Sequence, residues 1–125
     1  MPKILLISIV EDDESFRRAT TRLVRSLGYA VAAFGSAEEF LNSGRLNDTA
    51  CLISDVHMPG MSGIELQKHL LAQGYRLPVI FISAYPEPAA RGQWRASGTL
   101  GFLTKPFSEE KLISYLGQAL SDSKA

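Results

Sequence analysis

Residues 4–13 read Ile-Leu-Leu-Ile-Ser-Ile-Val-Glu-Asp-Asp. The apolar run Ile4–Val10 is broken only by Ser8 and stops abruptly at an acidic triplet, Glu11-Asp12-Asp13. A nearly unbroken run rich in Ile and Val suits a strand covered on both faces, the signature of a parallel sheet. The run is far short of the ~20 residues that span a bilayer. It has no small-residue cleavage site behind it, so it is not read as a signal peptide. Directly after it the period changes. Over Ser15–Leu27, Phe16, Ala19, Thr20, Leu23, Val24 and Leu27 fall on one helical stripe, Arg18, Arg22 and Arg25 fall on the opposite face, and Gly28 stops the helix.

The same alternation continues. Tyr29–Phe34 reads as a second strand, and Ser36-Ala37-Glu38-Glu39 as a capping box opening a short helix with Phe40 and Leu41 inward. Ala50–Ser54 is a third strand. Pro59–Gly63 is a loop, and Ile64–Gln73 a helix carrying Leu66, Leu70 and Leu71, closed by Gly74, with His69 on its surface. Leu77–Ser83 is a fourth strand. Glu87–Ser97 is a weak helix candidate, disfavoured by Pro86, Pro88 and Gly92. Leu100–Leu103 is a fifth strand. Ser108 opens a last helix with Leu112, Ile113, Leu116, Ala119 and Leu120 inward. Five strand–helix units predict an α/β fold: a five-stranded parallel sheet, doubly wound as (βα)5 and flavodoxin-like.

Composition agrees. The 125 residues make one domain, 46% hydrophobic, with 13 Lys+Arg balancing 13 Asp+Glu. Zero net charge excludes nucleic-acid binding through bulk charge, and the lone Cys51 excludes an internal disulfide or a cysteine metal cluster. A cytoplasmic domain is expected over residues 1–121, with 122–125 a polar tail or the start of a linker. The chain is either a single-domain protein or a fragment of a longer one.

In open parallel sheets the working site lies beyond the carboxyl ends of the strands. Glu11-Asp12-Asp13 follow the first predicted strand, Asp55 the third, Ser83 ends the fourth, and Lys105-Pro106 follow the fifth. Each alone is ordinary: an acid favoured at a helix start, a turn residue, a cap, a solvated lysine. Their shared placement at one edge is not. Carboxylates at ~4 Å repel by several kcal/mol at an effective dielectric near 20. A hard divalent cation, Mg²⁺ or Mn²⁺, relieves that repulsion and takes carboxylate oxygens. An ammonium and a hydroxyl beside it suit phosphoryl oxygens, with one carboxylate as nucleophile.

The stretches Val10–Glu14, Ile53–Gly63, Ile82-Ser83-Ala84 and Leu103–Phe107 resemble the response-regulator receiver domain of two-component signalling. Among its members the chain looks most like receivers of nitrogen-fixation-type regulators with a helix-turn-helix output. The resemblance implies a signalling phosphoacceptor rather than an enzyme. Asp55 would take a phosphoryl group from a sensor histidine kinase or a histidine phosphotransfer protein. Asp12, Asp55 and the backbone carbonyl of His57 would hold the metal, with Glu11 adjacent, the acids ranking Asp12, Glu11, Asp13. Ser83 and Lys105 would contact the phosphoryl oxygens, and Ser83 with Phe102 would form the switch. The expected output is a homodimer or output-domain contact through the Glu87–Ser97 segment, the fifth strand and the last helix, near Trp94 and Tyr115. No direct nucleic-acid or membrane binding is expected.

The resemblance also implies that His57 and Tyr85 flank the path of the hydrolysing water, and their bulk then predicts slow self-dephosphorylation. Arg18, Arg22 and Arg25 form either a solvated face or a kinase-docking face. Replacing Asp12 or Asp13 by Ala is expected to raise the metal-free melting temperature. An aspartyl-nucleophile enzyme would want a second acid where His57 stands, and a flavin-binding module a phosphate loop where the acidic triplet stands.

Overall fold

A computed structural model describes residues 4–84, 99–105 and 108–122. The elements run β1 (Leu6–Val10), α1 (Glu14–Ser26), β2 (Ala30–Phe34), α2 (Ala37–Leu41), β3 (Thr49–Asp55), α3 (Gly63–Ala72), β4 (Val79–Ser83), β5 (Thr99–Thr104) and the last helix, α4 (Glu109–Asp122). The strands form one parallel sheet in the order β2-β1-β3-β4-β5. The predicted flavodoxin-like sheet is therefore observed. The predicted Glu87–Ser97 helix, with Tyr85 and Trp94, lies outside the described residues.

Alternation along the strands sorts their side chains into two cores. Ile7, Ile9, Cys51, Ile53, Ile80, Ile82 and Leu103 face one side, where Val24 of α1 and Leu112, Leu116, Ala119 and Leu120 of α4 cover them. Val10, Leu52, Val79 and Phe81 face the other, with Ala37, Phe40, Leu66 and Leu70 from α2 and α3. Ser8, the polar break in the first apolar run, is fully buried and shares a 2.7 Å hydrogen bond with the Thr49 hydroxyl. Cys51 is buried in the sheet, and burial pushes its thiol up to about 12, so it stays protonated and inert.

Several local expectations need correction. Ala19 and Ile113 (43% exposed) are off the covered stripes of their helices, because each helix meets the sheet along a narrower line than the apolar pattern suggests. His69 is half-buried at the surface of α3. The box at α2 is open. Ser36 Oγ accepts from Glu39 N at 3.1 Å, but Glu39 reaches back to Gly35 N rather than Ser36 N. A complete box forms instead at α3, in a stretch the sequence pattern presents as loop: Ser62 Oγ accepts from Glu65 N, and Glu65 Oε1 from Ser62 N at 2.9 Å.

Candidate functional site

The carboxyl edge of the sheet gathers the charged residues. β1 ends one residue before Glu11, and Glu11 N donates to Phe34 O at 3.0 Å, which carries the sheet spacing one step past the strand. Asp55 is the last residue of β3, opposite Ile82. Lys105 follows β5, and its amide donates to Ser83 O at 2.8 Å, so the ladder again extends by one residue. These bonds fix where each side chain begins. Strand alternation then directs Asp55 and Lys105 to the α1 side and Ser83 and Phe102 to the other. Phe81 pairs with Phe102 and Ser83 with Thr104, which makes Ser83 a diagonal neighbour of Phe102. Ser83 is buried, and Phe102 is half-buried against the second core.

Lys105 Nζ lies 2.8 Å from Glu11 Oε1 and donates a 3.2 Å hydrogen bond to Asp55 Oδ2. Asp55 Oδ1 accepts from His57 N at 3.2 Å, and Glu11 Oε2 accepts from Asp13 N at 3.0 Å. Arg17 donates to the Glu11 carbonyl at 2.9 Å, clamping that backbone. Both acids are nearly enclosed, Glu11 at 2% exposure and Asp55 at 5%. Burial pushes the Glu11 carboxyl up to about 7; Lys105 and the Asp13 amide oppose this, and the Asp55 carboxylate adds to it. For Lys105 burial works downward, but Glu11 and then Asp55 hold its ammonium above the usual lysine range.

The three acids of the triplet divide. Glu11, Asp12 and Asp55 each offer a carboxylate oxygen, and these lie within 4.8 Å of one another. Asp13 instead turns away as the N-cap of α1, its Oδ1 accepting from Phe16 N at 3.1 Å. The donor set is all oxygen, which suits a hard divalent cation. Buried Glu11 Oε1 has the Lys105 ammonium beside it at 2.8 Å, so a cation would enter a cluster whose charge is already partly offset. The residues could hold a metal ion. Arg18, Arg22 and Arg25 are exposed on α1, Arg18 pairing with Glu14 at 2.8 Å.

Three contributions are not evident from strand-end logic. Gly63 approaches the Asp55 carbonyl, where a Cβ would overlap it. Glu38 Oε2 accepts from Met61 N at 3.2 Å, tying α2 to the loop after Asp55. Phe16 lies under the Lys105 ammonium. Gly63 stands in the loop stretch already singled out, and Phe16 is read there only as core. Nothing in the sequence marks Glu38.

Comparison with known proteins is consistent with this geometry. The family model for the response regulator receiver domain matches residues 7–117. Nodulation protein W of Bradyrhizobium diazoefficiens is 40% identical over 108 residues, spanning 86% of this chain and 48% of that protein. Transcriptional regulatory protein FixJ of Azorhizobium caulinodans is 34% identical over 123 residues, 98% of this chain and 58% of its own. The solved structure of response regulator StyR superposes with a TM-score of 0.88 at 37% identity, covering 95% of this chain and 60% of that one. The chain thus spans about half the length of the curated relatives it matches.

Proposed function

The chain belongs to the response regulator receiver domain family, and from that premise we propose that Asp55 accepts a phosphoryl group in a Mg²⁺-dependent reaction. The donor is a phosphohistidine of a sensor kinase or of a phosphotransfer protein, and the setting is the cytoplasm. The observation that carries the reading is the convergence on Lys105 Nζ of Glu11 at 2.8 Å and Asp55 at 3.2 Å, from the ends of separate strands.

An Asp55 carboxylate oxygen forms the new bond to phosphorus as the phosphorus–nitrogen bond of the donor breaks. The electron pair returns to the imidazole nitrogen, which takes up a proton. The residues mainly position groups and neutralise charge, as such transfers require. Lys105 shifts from its carboxylates toward a phosphoryl oxygen, and the Ser83 hydroxyl donates to another. Glu11, Asp12, Asp55 and the His57 carbonyl would hold the cation, which when bound would supply the positive charge that lets an anionic donor approach three acids.

Phosphorylation replaces one negative charge with about two and adds acceptor oxygens. Drawing Ser83 toward them opens space beside its diagonal neighbour Phe102. The ring, lacking a phenolic hydroxyl, then moves by packing alone, and the surface around β5 and α4 changes with it. That surface takes a second copy of the chain or an output domain. The exposed arginines of α1 serve the kinase: replacing all three slows transfer from it and leaves small donors unaffected. Turnover is limited to this self-catalysed transfer and a slow hydrolysis.

The test is intact mass after incubation with phosphoramidate. A gain of about 80 Da that requires Mg²⁺ and disappears in Asp55→Asn supports the reading. Multiple turnover on a small phosphoester would instead favour an enzyme.

A further inference from the structure

The ammonium of Lys105 rides on a flexible four-carbon stem. Glu11 and Asp55 hold it from one side, at 2.8 and 3.2 Å. Those two contacts leave the Lys105 side chain 20% exposed. Phe16 adds a third contact, with its ring under the ammonium and its centroid 4.4 Å from Nζ. An aromatic face attracts a cation within about 6 Å of its centroid, and more strongly when both are shielded from solvent.

The ring is held in place as well. Its backbone amide is fixed by the Asp13 cap at 3.1 Å, and its body packs half-buried against the first core. Thr20 and Val24, one and two turns further along α1, are buried. Phe16 lies in the first turn of α1, at the end of this stripe that meets Lys105. Core packing at that position would be met by leucine or methionine. Only an aromatic face offers the ammonium a seat.

Resting on the assignment of Lys105 to a phosphoryl oxygen, we propose that Phe16 is a positioning residue whose π face holds the Lys105 ammonium at the acid edge and so sets the rate of phosphoryl transfer to Asp55. As the lysine turns from carboxylate to phosphoryl oxygen, the ring remains its fixed support. The contact accelerates transfer by keeping the ammonium where the new charge develops.

The test uses the full chain with phosphoramidate and Mg²⁺, and a trifluorinated phenylalanine in place of Phe16. Fluorination keeps the ring's shape and removes most of its attraction for cations. Phe16→Tyr and Phe16→Leu accompany it, and transfer is followed by intact mass. The trifluorinated and leucine proteins are expected to react between about two- and thirty-fold more slowly than the parent, the range of cation–π strengths. Phe16→Tyr stays within about two-fold. In proton spectra the Lys105 ε-methylene carries an upfield ring-current shift that Phe16→Leu abolishes. A trifluorinated protein that reacts at the parent rate, or equal losses in the tyrosine and leucine variants, would overturn the proposal alone. A parent that takes up no phosphoryl group would overturn the Asp55 assignment together with it, even with the ring-current shift intact.

Discussion

Gly63 is packed directly against the main-chain carbonyl of Asp55. A Cβ at Gly63 would overlap that carbonyl oxygen and stand 3.1 Å from Ser54 Oγ. The Gly63 amide meanwhile donates to Val56 O at 3.0 Å, so α3 begins seated against the peptide that carries the proposed acceptor. The overlapped atom is main chain and is not the far end of a flexible side chain that could yield. Gly63→Ala is expected to cost about 1–3 kcal/mol, the usual range for overpacking, and to slow phosphorylation by displacing Asp55. Gly117 in α4 has open space around it, so Gly117→Ala is the control and gains up to about 1 kcal/mol. Thermal unfolding of the two variants should move in opposite directions.

Asp12 and Asp13 separate on the same measurement. The sequence alone leads one to expect stabilisation from removing either. The structure places Asp12 in the acid cluster and Asp13 on the Phe16 amide as the cap of α1. In chelator, Asp12→Ala raises the melting temperature by relieving repulsion, and added Mg²⁺ cancels the gain. Asp13→Ala lowers it, by about 1 kcal/mol for a lost cap, with or without Mg²⁺.

Glu11 gives the metal-free protein a pH signature. Its carboxyl is raised from 4.5 to about 7, chiefly by burial. Between those values the folded state holds a proton that the unfolded chain has released. Its contribution to stability is complete below about 4.5 and is lost as pH rises through 7. Glu11→Gln stays neutral throughout. In chelator, its melting temperature relative to the parent therefore climbs across this window. Saturating Mg²⁺ favours the ionised carboxylate and flattens the difference. Urea titrations at several pH values check the slope.

Much of the fold is legible because a parallel sheet buries both faces, so its strands appear as short apolar runs that stand out from amphipathic helices. The strand-end site follows from that topology, since Glu11, Asp55, Ser83 and Lys105 each lie at a run's carboxyl end. Helix faces are less legible. Ala19 and Ile113 fit an apolar period, yet they lie beyond the narrow line along which each helix meets the sheet. Side-chain destinations are least legible. Asp12 and Asp13 are chemically identical neighbours, and only the start of α1 decides which one becomes a cap. Phe16 and Lys105 are far apart in the chain, and their contact exists only once α1 has docked beside β1 and β2.

The most direct test of the account locates the phosphoryl group. The domain is treated with phosphoramidate and Mg²⁺, the acyl phosphate is reduced with borohydride, and the labelled residue is identified by peptide sequencing in the mass spectrometer. The account predicts label at Asp55 and at no other carboxylate, dependent on Mg²⁺ and strongly reduced by Lys105→Met. Label on another residue, or equal label without the metal, would contradict it.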